Sequence, residues 1–105
     1  MSQSYIGIAV VGCGYVSDFY VNPIVDHADL ALIGVHDRIR ERAVAVGERS
    51  GAKVYQTLSE LLSDDRVQIV VNLTNPDSHA EVTLAALAAG KHVYTEKPLA
   101  TDMAD

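Results

Sequence analysis

A chain of 105 residues has room for one modest domain and too little for two. It is 49% apolar and 21% charged, as soluble globular proteins are, and with one Phe and no Trp its core must come from Val, Ile, Leu and Ala. A net charge of −6 argues against nucleic acid and anionic membrane as partners, the single Cys13 excludes an intrachain disulfide, and no run is apolar for long enough to span a bilayer.

Short β-rich runs alternate with helical stretches along the chain. Tyr5–Val11 is a continuous apolar run, which predicts a strand covered on both faces. Val16–Asp26 predicts a helix that Asn22-Pro23 should bend or break. Leu30–Val35 predicts the second strand, and Arg38–Ser50 a helix stopped by Gly51 at its C-terminus. Lys53–Tyr55 predicts a short third strand, Ser59–Leu62 a brief helix and Val67–Leu73 a fourth strand. Pro76–Ala89 is an Ala- and Leu-rich helix, with Asn75 or Asp77 as its cap and Gly90 at its end. His92–Thr95 predicts the fifth strand, and Thr101 or Asp102 reads as the cap of one more helix. Strands alternating with helices imply parallel pairing by right-handed crossovers, hence an α/β, doubly wound parallel sheet of the Rossmann type. The sheet is expected to stop short of its last strand, so the chain is expected to be one nucleotide-binding domain over residues 1–105, a fragment of a longer protein. The N-terminus has no basic region followed by an apolar run, so no signal peptide is expected and the cytoplasm is the expected location.

The segment "VVGCGYVS" follows the first strand directly. Gly12 and Gly14 match the first two glycines of G-x-G-x-x-G, one for a tight turn and one for close approach of a pyrophosphate. Ser17 stands in the third glycine's place and is small enough for helix–strand packing. Gly12, Cys13, Gly14, Tyr15 and Val16 are therefore the candidate phosphate-binding strip, completed by the N–H groups of the next helix. A lone G-x-G is weak evidence, because glycines make tight turns without a ligand; the strand–turn–helix order strengthens it. Asp37 lies at the end of the second strand, where an acidic residue accepts hydrogen bonds from an adenosine ribose. It could equally cap the following helix, and both roles can hold together. A carboxylate there repels a 2′-phosphate by roughly 4 kcal/mol at about 4 Å and an effective dielectric near 20, which favours NAD over NADP. Arg38 and Arg42 weaken that preference, since an arginine there can stack on adenine or meet a 2′-phosphate, so NADP stays open.

The fourth strand ends "VNLTNPDSH" and the fifth ends "VYTEKPLA". With the glycine turn, these segments resemble the Gfo/Idh/MocA family, the glucose–fructose oxidoreductase and inositol dehydrogenase group, over essentially the whole chain. The resemblance implies a two-domain oxidoreductase that moves a hydride between NAD(P) and a hydroxyl of a sugar, cyclitol or related compound. It implies nicotinamide-ribose contacts from Thr74, Asn75 and Glu96, with His79 as a further candidate, and a catalytic Lys97 that reaches the reacting hydroxyl. Pro98 stiffens the turn that aims Glu96 and Lys97; its peptide bond is open between cis and trans. The resemblance implies a second α+β domain that supplies the substrate pocket, an acid/base histidine and the subunit interface, which these 105 residues are expected not to include. The chain alone is expected to bind cofactor and turn nothing over. The alternative is a non-catalytic dinucleotide-binding sensor or regulatory module, which would have no need of Lys97.

His27, His36 and His92 read as solvated or structural, although His36 beside Asp37 is placed to line an adenosine pocket. The Cys13 thiol reads as incidental, and with no Cys pair and no His-x-x-x-His the sequence offers no metal site.

Overall fold

The computed structural model describes residues 5–13 and 18–95. Among them the elements run β1 (Ile6–Val11), α1 (Asp18–Asp26), β2 (Leu30–His36), α2 (Arg40–Ser50), β3 (Lys53–Val54), α3 (Leu58–Leu62), β4 (Ile69–Asn72), α4 (Pro76–Ala88) and β5 (His92–Thr95). The five strands form one parallel sheet in the order β3-β2-β1-β4-β5. The chain winds outward from β1 in one direction and then returns to its other side with β4. The mouth between β1 and β4 is thus the point where strand order reverses, the place where open α/β sheets bind ligands.

The continuous apolar run of β1 is explained by burial on both faces. Ile8 and Val10 join Val21, Ile24, Val35, Ala43, Val46 and Val71 in a core under α1 and α2. Ala9 and Val11 point the other way, into a core with Tyr55, Leu61, Val67, Val70, Val82 and Ala86 under α3 and α4. Successive side chains of a strand face opposite sides, so a strand between two helical layers must be apolar throughout.

Several boundaries differ from the expectations, each for a physical reason. Pro23 sits inside α1 and does not end it. Val21 and Ile24, on either side of the proline's turn, are buried against the sheet, and that packing outweighs the lost N–H. The helix α2 starts two residues later than expected, after Ile39, which makes no side-chain cap. Asp37 is not its cap: its carboxylate accepts from the Ile39 and Cys13 N–H groups and from no N–H within the helix. Gly51 does end α2, at φ 79°, with its N–H on the Gly47 carbonyl. The short helix α3 opens at Leu58 with a capping box: Thr57 accepts from the Glu60 N–H, and the Glu60 side chain accepts from the Thr57 N–H. Of the two candidate caps of α4, Asn75 takes the role by accepting from the Ser78 N–H at 3.2 Å. The fourth strand is shorter than expected, Ile69–Asn72, and the fifth has the expected bounds.

Candidate functional site

The glycine turn leaves β1 with Gly12 at φ 99°, a conformation that side-chain-bearing residues rarely adopt. The Gly12 N–H donates to the His36 carbonyl at 2.8 Å, tying the turn to the end of β2. A Cβ at Gly12 would lie 2.7 Å from the Leu73 carbonyl carbon and 2.8 Å from the Thr74 nitrogen. The bare backbone therefore lets the β1 turn and the β4–α4 loop touch. The Leu73 N–H donates back to the Val11 carbonyl at 2.8 Å.

Cys13 comes next, 5% exposed, with its Sγ 3.6 Å from the His36 carbonyl. Burial, and then the nearby Asp37 charge, push its thiol up to about 12. It is a neutral packing group with no thiolate to offer. Its backbone matters more: the Cys13 N–H donates to Asp37 Oδ2 at 2.7 Å. That donor is thus committed to Asp37, and the Cys13 side chain does not line the cavity described below.

Asp37 Oδ1 accepts from the Ile39 N–H at 2.8 Å. Two backbone donors, one from each side, hold the carboxylate across the mouth between β1 and β2. Each carboxylate oxygen keeps further acceptor capacity. The carboxylate lines a cavity of about 470 Å³ together with Gly12, Arg38 and Arg42, with Leu58 and Leu73 as apolar walls. His36 lines it too, and its Nδ1 lies 3.0 Å from the Tyr55 carbonyl.

The opposite wall comes from the end of β4 and the first turns of α4, and its organiser is Asn72. This amide is fully buried. Its Nδ2 donates to the His79 carbonyl and to Thr83 Oγ1, both at 2.9 Å. Its Oδ1 accepts from the Thr74 N–H at 3.2 Å and the Thr74 hydroxyl at 2.6 Å. Two donors and two lone pairs are all that an amide has, so every one is used. The bonds fix the loop that carries Thr74 and Asn75 into the cavity with Ser78, Glu81 and Val82.

Gly12, Asp37, Arg38, Thr74 and Asn75, separated widely in the chain, thus meet in one cavity. The Thr74 hydroxyl and the Asn75 side chain also have structural partners, Asn72 and the start of α4. His79 lies outside the cavity lining, and its buried Nε2 has no hydrogen-bond partner among the described residues. Gly14, Tyr15, Val16, Glu96, Lys97 and the Lys97-Pro98 bond fall outside the described residues. Sequence reasoning missed Asn72, Ser78 and Glu81. Their signals were a polar residue closing the apolar run "IVVN" and polar residues three apart on α4, Ser78 and Glu81. Among the described residues no group of three His, Cys, Asp or Glu is placed to hold a metal ion, and no helix is long and apolar enough to cross a membrane.

The cradle fits the adenosine half of a dinucleotide. Its volume is within the usual range of ligand pockets, roughly 300–1,000 Å³. The Gly12 turn has no Cβ to keep phosphates off the backbone, the anchored Asp37 carboxylate is able to accept from hydroxyls, and the apolar walls suit the faces of a base. Residues 6–105 match the oxidoreductase family with an NAD-binding Rossmann fold, GFO_IDH_MocA. This chain belongs to the Gfo/Idh/MocA family. It is 31% identical to the inositol 2-dehydrogenase/D-chiro-inositol 3-dehydrogenase of Lactiplantibacillus plantarum, over 97% of this chain and 30% of that protein. Two solved structures share the fold closely. One is GenD2 from gentamicin A biosynthesis in complex with NAD, with TM-score 0.86 and 34% identity over 92% of this chain and 28% of that one. The other is KijD10, a 3-ketoreductase from Actinomadura kijaniata in complex with NADP, with TM-score 0.83 and 30% identity over 90% of this chain and 31% of that one. This Gfo/Idh/MocA domain spans about 30% of the length of the curated relatives it matches. It is an oxidoreductase NAD-binding domain, as the expected fold and resemblance implied.

Proposed function

We propose that these residues are the cofactor half of an NAD(P)-dependent oxidoreductase that moves a hydride between the nicotinamide and a hydroxyl-bearing carbon of a sugar, cyclitol or related compound. One observation carries the reading: a glycine turn and an anchored acidic side chain, joined through Cys13 and Asp37, face one cavity at the sheet's switch point. The bound cofactor supplies the hydride acceptor or donor. The protein's task is to hold it and to handle the hydroxyl proton. Asp37 would take the adenosine ribose, the turn from Gly12 to Val16 the pyrophosphate, and Thr74, Asn75 and Glu96 the nicotinamide side. Lys97 would meet the substrate hydroxyl and receive its proton, and a nearby oxidised nicotinamide, being cationic, lowers a lysine's pKa toward that task. The intact Lys97 favours this reading over a non-catalytic sensor, which has no use for it.

The test is steady-state oxidation of screened sugars and cyclitols by the protein at its relatives' length. Lys97→Ala should lower turnover by about 10²–10⁴-fold while leaving cofactor affinity nearly unchanged. Lys97→Arg should not rescue, because a guanidinium does not give up its proton. Near-normal turnover in Lys97→Ala would remove the catalytic role.

A further inference from the structure

We infer that Glu81 on α4 reads the exocyclic 6-amino group of the adenine ring, so that the cavity selects adenine over other purines; this rests on the dinucleotide reading above. With the phosphates at Gly12 and the ribose on Asp37, the base must occupy the remainder of the same cavity. The walls there are Leu58, Leu73 and Val82, which suit the faces of a purine but cannot tell one purine from another. Arg38 and Arg42 offer only donors. Adenine's distinguishing edge is itself a donor, the 6-amino group, and needs an acceptor. Glu81 lines the cavity from a position six residues along α4 from the Asn75 cap, roughly 9 Å by helix rise. Among the described residues, no donor bonds or pairs with it. Neighbouring Val82 is 6% exposed and fixes the face that α4 turns inward.

The charge makes the assignment testable by sign. A dinucleotide is anionic, so a carboxylate in its site with no donor to bind weakens every dinucleotide alike. A carboxylate that accepts from the 6-amino group strengthens adenine and opposes hypoxanthine, whose 6-oxo group is an acceptor.

The experiment is calorimetric titration of the 105-residue chain with NAD and with nicotinamide hypoxanthine dinucleotide. The wild-type chain should prefer NAD by about fivefold, a charge-assisted bond at a solvent-exposed rim. In Glu81→Gln the preference should collapse to within about twofold, because the amide can turn to suit either base, and NAD itself should bind more weakly. Glu81 is exposed, so the variant should keep the wild-type circular dichroism. Equal binding of the two dinucleotides by wild type, an unchanged ratio in the variant, or a variant that binds both more tightly would overturn the assignment of Glu81 alone. Binding of neither dinucleotide by wild type would overturn the dinucleotide reading as well.

Discussion

The Cys13 N–H and Asp37 Oδ2 are joined by a 2.7 Å hydrogen bond that bridges the mouths of β1 and β2. It links the two sequence features on which the reading of this domain rests, the glycine turn and the acidic residue that closes β2. The bond means that Asp37 does two things at once: it shapes the turn, and it presents its remaining lone pairs to the cavity.

Asp37 should therefore set the preference between cofactors. NAD should bind this domain more tightly than NADP, and Asp37→Ser should move the ratio toward NADP by about tenfold. The variant removes a repulsion that reaches roughly 4 kcal/mol at about 4 Å and an effective dielectric near 20, and Arg38 and Arg42 already offset part of it. Dissociation constants for both cofactors settle the matter. Tighter NADP binding by the wild-type chain would show that the arginines override the carboxylate.

Gly12 and Gly51 both have positive φ, but only Gly12 is crowded: a Cβ there meets backbone within 3 Å, whereas at Gly51 it meets nothing within 4 Å. Gly12→Ala should cost about 2–5 kcal/mol, combining backbone strain with overpacking. Gly51→Ala should cost only about 1 kcal/mol, the conformational part. Urea denaturation of the two variants compares them directly, and equal losses would contradict the close approach of the Gly12 turn to Leu73 and Thr74.

Asn72→Ala should destabilise the domain by about 2–4 kcal/mol, because it strands buried partners that now have an amide to bond. The more specific sign is local. The Thr74 N–H, held by Asn72 Oδ1, should lose hydrogen-exchange protection beyond the global loss. Protection at Thr74 that falls only in step with the rest of the sheet would deny Asn72 its organising role.

Acid should weaken the turn before β4. Asp64 accepts from Arg66 Nη2 at 2.8 Å and Nε at 3.0 Å, and from the Tyr55 hydroxyl. Arg66 first, and then the Tyr55 bond, hold the Asp64 carboxyl well below the usual carboxylate range. Burial first, and then the Asp64 bond, push the Tyr55 phenol up to about 12. The depressed carboxyl contributes stability that is present above its unfolded pKa, near 3.9, and is lost as pH falls through the folded value. The raised phenol contributes stability that is present below about pH 10 and is lost as pH rises toward 12. The stability difference between wild type and Asp64→Asn should thus shrink as pH falls below about 4. Urea midpoints measured from pH 2 to 7 test this, and a difference that stays constant would contradict it.

Much of the fold was legible because β1 is an apolar run with a clear end, and because Gly51 and Asn75 act through local backbone geometry. The capping box of Thr57 and Glu60 was also present in the sequence as T-x-x-E, although the helix was expected to start at Ser59. What could not be read was long-range. Asp37 commits one carboxylate oxygen to Cys13, 24 residues earlier, a bond no local pattern announces. The importance of Asn72 comes from partners up to 11 residues away on α4. The retirement of His79 from the cavity and the entry of Glu81 into it depend on which way α4 faces, and the later turns of α4 are so Ala- and Leu-rich that no periodicity marks its inner side.

The central claim is that a dinucleotide lies over the glycine turn with its pyrophosphate against Gly12 to Val16. Calorimetric titration of NAD into the 105-residue chain and into Gly14→Val tests it most directly. The wild-type chain should bind weakly, with one site per chain. The variant, its folding checked by circular dichroism and thermal midpoint, should lose at least about tenfold in affinity, because a branched side chain blocks the approach of the phosphates to the backbone. Equal affinity in a folded Gly14→Val chain would contradict the claim.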